Sequence, residues 1–394
     1  MKILISPHYL KMKLKDYKPK YVQLKNPITS IEQINNFGIA DTKELSEITK
    51  DAQIPFPILT NEYYLNLADS NDKNDPIRQI VVPTKEELEI YFDSNKNNKG
   101  SFDTSGEKKN VKANGLQHKY QPTALALVSN VCASLCRECF RKRLFFEGNC
   151  NVNETTFPNE EALDYLKKHK EINTILLSGG DALMLKDESI KEILEILSDI
   201  DHITTVRFGT KVHAFYPTRI TDNLCQILAD FTKKTGKAVH VCAHFEHVNE
   251  ISKECIASLE LMRKYGIEMY NQTVLLKGIN DNAKILYDLF QKIAVHGVRP
   301  YYLFQCRPVF GTLHQQIKLK EGIRIYSELM QLMSGIHKPR YAMSTKIGKM
   351  EILGVNPTNS DEVILKLHSA KDIDKTGDII FYNVKENNPY WYDA

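Results

Sequence analysis

Three cysteines crowd one short stretch, Cys132-Ala-Ser-Leu-Cys136-Arg-Glu-Cys139-Phe-Arg141-Lys-Arg143, directly after the apolar run Ala124 to Val128. Thiolates this close together can share one soft metal centre. A closed structural zinc site takes four protein ligands, yet no second CxxC pair follows and no histidine pair has finger spacing. Three thiolates instead suit a [4Fe–4S] cluster that keeps one iron open to an outside ligand. Cys150, Cys225, Cys242, Cys255 and Cys306 are dispersed through apolar periodic segments and read as small core residues.

The cysteine loop needs a scaffold, and the chain becomes regular from about residue 118. Short β-branched runs (TALALVSN, TILLSGG, TTVRFGT, AVHVCAHF, MYNQTVLL and PYYLFQC) alternate with helix-period segments at Asn159–His169, Asp187–Leu197, Asp222–Lys233, Glu250–Arg263 and Ala283–Ala294. Repeated strand–helix units imply parallel strands with right-handed crossovers. Six units fit a partial (β/α)6 barrel of TIM type, with a closed eight-unit barrel as the alternative. Either places the ligand site at the carboxyl ends of the strands. There stand Asn130 and the cysteine loop, Ser178–Asp181, Gly209–Lys211, His244, Asn271–Gln272 and Gln305–Arg307.

Ahead of this core, residues 1–110 read as a mostly helical region. Ser30 and Thr42 are helix-cap candidates, and Pro55 and Pro57 break the pattern. Asn61 to Pro83 reads as an aromatic anchor, a polar turn and a short apolar strand, followed by a helix near Thr84–Phe92. The polar stretch DSNKNNKGSFDTSGEKKN is expected to be a linker. Residues 111–336 form the core, and 337–394 a small β-rich C-terminal element after a helix over Lys320–Met333. With 42% hydrophobic and 26% charged residues the composition is that of a globular protein. A net charge of +3 argues against nucleic acid, and no run reaches the ~18 apolar residues of a membrane helix. Lys11 and Lys13 interrupt the N-terminal apolar run, so no signal peptide is expected, and the reading is cytoplasmic.

The C-x3-C-x2-C spacing resembles that of radical S-adenosylmethionine (SAM) enzymes. HKYQPTALALVSNVCASLCRECFRKRLF resembles the core motif of the lysine 2,3-aminomutase family, as do LLSGGDALML, VRFGT…PTRIT, AHFEHVNEI, NQTVLLKGIND and VRPYYLFQC, in the same order. The resemblance runs from about residue 60 to 350. It implies a radical SAM barrel and three cofactors: a [4Fe–4S] cluster, SAM, and pyridoxal 5′-phosphate (PLP). It also implies a small-molecule amino acid substrate, an electron donor of flavodoxin or ferredoxin type, and a homo-oligomer.

Residue by residue, the resemblance makes Cys132, Cys136 and Cys139 the cluster ligands. Gly179, Gly180 and Asp181 match the turn receiving the SAM methionine group, and His244 and Gln272 match SAM-contacting positions. Lys119 and Tyr120 fall where the family contacts the PLP phosphate, although a second phosphate arginine is Thr123 here. Lys349 aligns with the PLP lysine, with Lys346 second. Arg141 matches the arginine that pairs with the substrate α-carboxylate, a task suited to its bidentate fork.

Two departures concern the substrate. Where the lysine enzyme holds the distal ammonium with two aspartates, this chain has Arg307 and, near the second position, Ser344. A lysine ammonium facing a guanidinium in a low-dielectric pocket is strongly disfavoured. The glutamate-acting relatives carry a basic residue at the first position, so an acidic or acceptor-bearing substrate, glutamate first, is expected. The alternatives are an enzyme acting on lysine or a protein-bound lysine, a PLP-free radical SAM enzyme, and a non-catalytic metal-binding module. No cysteine lies beyond Cys306, so the intersubunit zinc of the lysine enzyme is not expected.

Overall fold

The fold is given by a computed structural model that describes residues 17–39, 42–49, 54–92, 100–146, 154, 156–386 and 388–392. Cys150 and the run around Lys11 and Lys13 lie outside the described residues. Among the described residues twelve strands form one sheet whose order follows the chain. β1 (Val111–Ala113) and β2 (Leu116–Tyr120) lead antiparallel into β3 (Thr123–Ser129). From β3 onward the strands are parallel: β4 (Thr174–Gly179), β5 (Thr205–Thr210), β6 (Ala238–Ala243), β7 (Glu268–Leu275), β8 (Val298–Gln305) and β9 (Arg340–Ser344). β10 (Gly348–Asn356), β11 (Asn359–Ala370) and β12 (Ile379–Asn383) complete the sheet antiparallel.

Among the described residues five short helices precede the sheet: α1 (Ile31–Asn35), α2 (Thr42–Thr49), α3 (Glu62–Leu65), α4 (Pro76–Val81) and α5 (Lys85–Phe92). Helices α6 (Glu160–Lys168), α7 (Asp187–Ser198), α9 (Asp222–Thr235), α10 (Lys253–Lys264), α11 (Ala283–Val295) and α12 (Leu319–Leu332) cross between parallel strands, and a single turn, α8 (Val212–Phe215), follows β5. Local chemistry sets their ends. Asn159, Thr221, Ser252 and Asn282 accept backbone N–H groups at the N-termini, and α9 stops at Gly236 in the left-handed conformation, φ 71°. Helix α7 buries Ile190, Ile193, Leu194 and Leu197, one stripe at helical spacing. Burying each such side chain contributes roughly 1.5–3 kcal/mol.

Three expectations change. The apolar run after the Asn61 turn is helix α4, not a strand: Asp75 accepts from the Arg78 N–H and Pro76 occupies the first turn, a start signal that outweighs β-branched content. A seventh strand joins the parallel run, because β9 pairs parallel with β8 and the C-terminal strands continue the core sheet. No pairing joins β12 to β1 among the described residues, which is against an eight-unit closed barrel.

The expected linker also divides. Asp93–Lys99 lie outside the described residues, but Ser101–Asn110 are ordered against the sheet. The Ser101 N–H donates to Pro308 O at 2.8 Å, and Thr104, Ser105, Glu107 and Asn110 are buried. Composition misled because polar side chains here meet buried cations rather than water. The sheet curls enough that Lys119 of β2 donates from Nζ to the Thr345 carbonyl after β9. Among the described residues no helix is long and apolar enough to cross a membrane.

Candidate active site

The cysteine loop leaves the carboxyl end of β3 and is gripped from behind by the N-terminal region. Leu135 N–H donates to Leu59 O and Arg137 N–H to Ile80 O, both at 2.8 Å. Asn61 Nδ2 donates to Ala133 O (3.2 Å) and to Phe215 O (2.9 Å). Beneath the loop, Glu87 accepts from Arg137 Nε (2.9 Å), Lys142 Nζ (3.1 Å) and the Tyr91 hydroxyl (2.7 Å). Burial alone would raise the Glu87 pKa, but Arg137 and Lys142 hold it well below the usual carboxylate range.

Cys132, Cys136 and Cys139 are free thiols that line one cavity at the strand ends. The same cavity is lined by Gly179, Gly180, Asp181, Lys211, Cys242, His244 and Gln272. Two of these do work that sequence alone hides. An added Cβ at Gly179 (φ 121°) would sit 2.1 Å from Ser129 O, and one at Gly180 2.6 Å from Val131 O. The glycines therefore let β4 close onto the chain entering the cysteine loop. The Asp181 carboxylate accepts from Leu183 N–H, Thr210 Oγ1 and Lys211 N–H at 2.7–2.9 Å. It ties the end of β4 to that of β5; burial raises its pKa to about 6, against these hydrogen bonds.

His244 lies with Nε2 against Glu246, whose other oxygen meets Lys211. Burial and the neighbouring Lys211 push the His244 pKa well below its ordinary value, so the ring is neutral. Glu138, between the second and third cysteines, is buried and lines the cavity, and burial raises its pKa.

Arg141 also lines this cavity, while Lys119, Tyr120, Arg307, Ser344 and Lys349 gather beside it. Lys349 stands opposite Ser344 across the β9–β10 pair. Lys349 Nζ lies 4.3 Å from the Tyr302 ring centre and 5.9 Å from that of Tyr120. Burial, Arg207 and Arg307 lower its pKa to about 7, whereas Lys346 is exposed. Lys119 donates to the Ser105 and Thr345 carbonyls, and mainly burial lowers its pKa to about 8. Arg307 donates to Ser105 Oγ at 2.7 Å and lies 4.2 Å from the Phe140 ring, over which Arg141 also sits at 4.5 Å. Phe140 thus bridges the two halves.

Among the described residues, none of Lys119, Arg207, Arg307 and Lys349 makes an ion pair with a carboxylate. All four are half-buried, and cations removed from water without paired anions are costly. Arg207, Phe140 and Glu107 were not singled out from sequence. Arg207 sits inside an apolar strand run, Phe140 is an aromatic between Cys139 and Arg141 that carries no chemistry of its own, and Glu107 sits in the misread linker. Cys242, expected in the core, instead lines the cavity and accepts weakly from Arg207 at 3.5 Å; Cys225, Cys255 and Cys306 are buried in the core.

Sheet and site together define an α/β protein with three convergent thiols beside a cluster of cations. No protein-family model matches the chain. It is 38% identical over 371 residues to a chain of Aquifex aeolicus (strain VF5) provisionally named L-lysine 2,3-aminomutase, covering 93% of this chain and 94% of that one. The L-lysine 2,3-aminomutase of Methanococcus maripaludis is 35% identical (87% and 78% covered), and the glutamate 2,3-aminomutase of Clostridioides difficile 33% identical (83% and 74% covered). The chain belongs to the radical SAM lysine 2,3-aminomutase family, and is an aminomutase, an isomerase by reaction class.

The cofactors of that family are a [4Fe–4S] cluster, SAM and PLP. The residues present fit them. Three free thiols face one cavity, and the cations around Lys349 suit a phosphate beside an amine whose pKa is lowered to about 7.

Proposed function

We propose that this chain is a PLP-dependent radical SAM 2,3-aminomutase, which moves the α-amino group of an amino acid to its β-carbon, and that its substrate is glutamate-like rather than lysine. The observation carrying the substrate is Arg307. Its guanidinium is half-buried, rests on Phe140 and Ser105, and has no carboxylate at ion-pair distance among the described residues. A lysine side chain would bring a second cation to this place; a dicarboxylate would supply the absent anion. Arg141 and Arg307 share the Phe140 ring, so an α-carboxylate on the first leaves a side-chain carboxylate within reach of the second.

When bound, the cluster with SAM supplies hydrogen abstraction and PLP supplies the group that carries the migrating nitrogen. The chain's own part is placement. Cys132, Cys136 and Cys139 hold the cluster; the turn at Gly179, Gly180 and Asp181, with His244 and Gln272, seats SAM. Lys119 and Tyr120 neutralise and bond the PLP phosphate, and Arg207 supplies the charge that Thr123 lacks. Lys349 would hold PLP through an amine whose pKa, lowered to about 7, leaves about half of it unprotonated at neutral pH, and Ser344 stands opposite it across the β9–β10 pair. Burial of these groups excludes water from the reacting centre.

The curled sheet is read as a partial (β/α)6 barrel, with residues 1–110 as the clamp behind the cysteine loop and 337–394 as the element bearing Lys349. A homo-oligomer reduced by a flavodoxin- or ferredoxin-type donor in the cytoplasm completes the reading. The test is product analysis of anaerobically reconstituted protein with SAM, PLP and dithionite. β-Glutamate is expected from L-glutamate at a rate well above any β-lysine from L-lysine; faster lysine conversion overturns the substrate assignment.

A further inference from the structure

The segment Ser101–Asn110, polar enough to pass for a linker, holds both arginines of the substrate pocket. Glu107 Oε1 accepts from Arg141 Nε at 3.2 Å, and its Oε2 accepts from Arg143 Nη2 at 3.0 Å. Arg141 Nη1 donates to Ser178 Oγ at 2.8 Å. Two residues earlier, Ser105 Oγ accepts from Arg307 Nη1, and its carbonyl accepts from Lys119. The strap is itself fixed: Asp103 accepts the Glu107 and Lys108 N–H groups, Asn110 Nδ2 donates to Gly106 O, and Gly106 takes the left-handed φ of 66°.

Partners on Nε and Nη1 leave Arg141 one orientation, and Glu107 separates it from the like charge of Arg143. We propose that Glu107 and Ser105 are positioning residues for substrate recognition: Glu107 aims Arg141 at the α-carboxylate, and Ser105 aims Arg307 at the side-chain carboxylate. This rests on reading the site as an amino acid isomerase. Losing the Glu107 charge would also make the pocket more positive, which by itself tightens carboxylate binding. Orientation outweighs that gain, because a guanidinium recognises a carboxylate through paired, directed bonds and a rotated fork offers only its charge.

The test compares Glu107→Gln and Ser105→Ala with the wild-type holoenzyme, using three ligands as substrate or competitive inhibitor. These are L-glutamate, 4-aminobutyrate (no α-carboxylate) and L-2-aminobutyrate (no side-chain carboxylate). In the wild type each missing carboxylate is expected to weaken binding at least tenfold. Glu107→Gln should cut the α-carboxylate penalty to under threefold and leave the other intact; Ser105→Ala should do the reverse. KM for glutamate should rise about tenfold in each variant with kcat within about threefold, as for lost uniform binding. Penalties that fall together, stay unchanged, or a KM that drops in Glu107→Gln would overturn the proposal. If Glu107→Gln does not fold, Glu107→Asp keeps the charge on a shorter stem, and an unchanged α-carboxylate penalty there counts against it. If the wild type isomerises lysine instead, the substrate reading fails, yet lysine against 1,5-diaminopentane still reads the Glu107 arm.

Discussion

The amine of Lys349 lies 4.3 Å from the centre of the Tyr302 ring, whose hydroxyl is in turn held by His368 Nε2 at 2.5 Å. A ring face favours an ammonium by about 0.5–2 kcal/mol, but burial with Arg207 and Arg307 nearby wins, and the pKa falls to about 7. Attachment of PLP, trapped by borohydride and mapped by mass spectrometry, should rise with pH through about 7 and localise to Lys349. Lys349→Ala should abolish it and Lys346→Ala should not. A midpoint near that of a free lysine, or trapping at Lys346, contradicts the assignment.

The same shift bears on stability. Between about pH 7 and the ordinary lysine value the unfolded chain binds more protons at this residue than the folded one. Stability of the PLP-free protein therefore gains from Lys349 as pH rises over that window and is flat with respect to it below. Lys349→Met should raise the melting temperature at pH 7 and show no advantage by about pH 10.5; an advantage that grows with pH would be the wrong sign.

Glu87 is 0% exposed and answers two buried cations, Arg137 and Lys142. Glu87→Gln leaves them short of an anion directly behind the cysteine loop. Denaturant unfolding should show a loss of about 3–5 kcal/mol, with less iron retained after reconstitution. A loss under about 1 kcal/mol would mean that the network is not what holds the loop.

Gly180 has an ordinary backbone, so its substitution tests space alone. A Cβ there meets Val131 backbone on the way into the cysteine loop. Gly180→Ala should cost about 1–3 kcal/mol and lower iron content more than an exposed Gly335→Ala control, whose Cβ meets nothing within 4 Å. Equal iron content in the two would contradict the close approach.

Much of the parallel core was legible because buried parallel strands are written as short apolar runs between periodic helices. β3 to β8 lie within a residue or two of the runs read from sequence. What failed has physical causes. Ile80 and Val81 look like a strand but belong to a helix started by Asp75 and Pro76. Ser105 and Glu107 look like solvent-facing linker residues because composition cannot say that four cations lie across from them. The cysteine trio was visible through type and spacing, whereas Arg141, Arg307 and Lys349 were reached only through the family resemblance; their arrangement around Phe140, and the part of Arg207, depend on how the sheet curls and were not legible.

The central claim is that three thiolates hold a cluster with one iron open to SAM. Electron paramagnetic resonance of the reconstituted, dithionite-reduced protein, before and after SAM, tests it most directly. The account predicts a [4Fe–4S]+ signal that changes on adding SAM and is lost in Cys132→Ser, Cys136→Ser and Cys139→Ser, but kept in Cys225→Ser. A signal that SAM leaves unchanged, or that survives loss of any of the three cysteines, would contradict it.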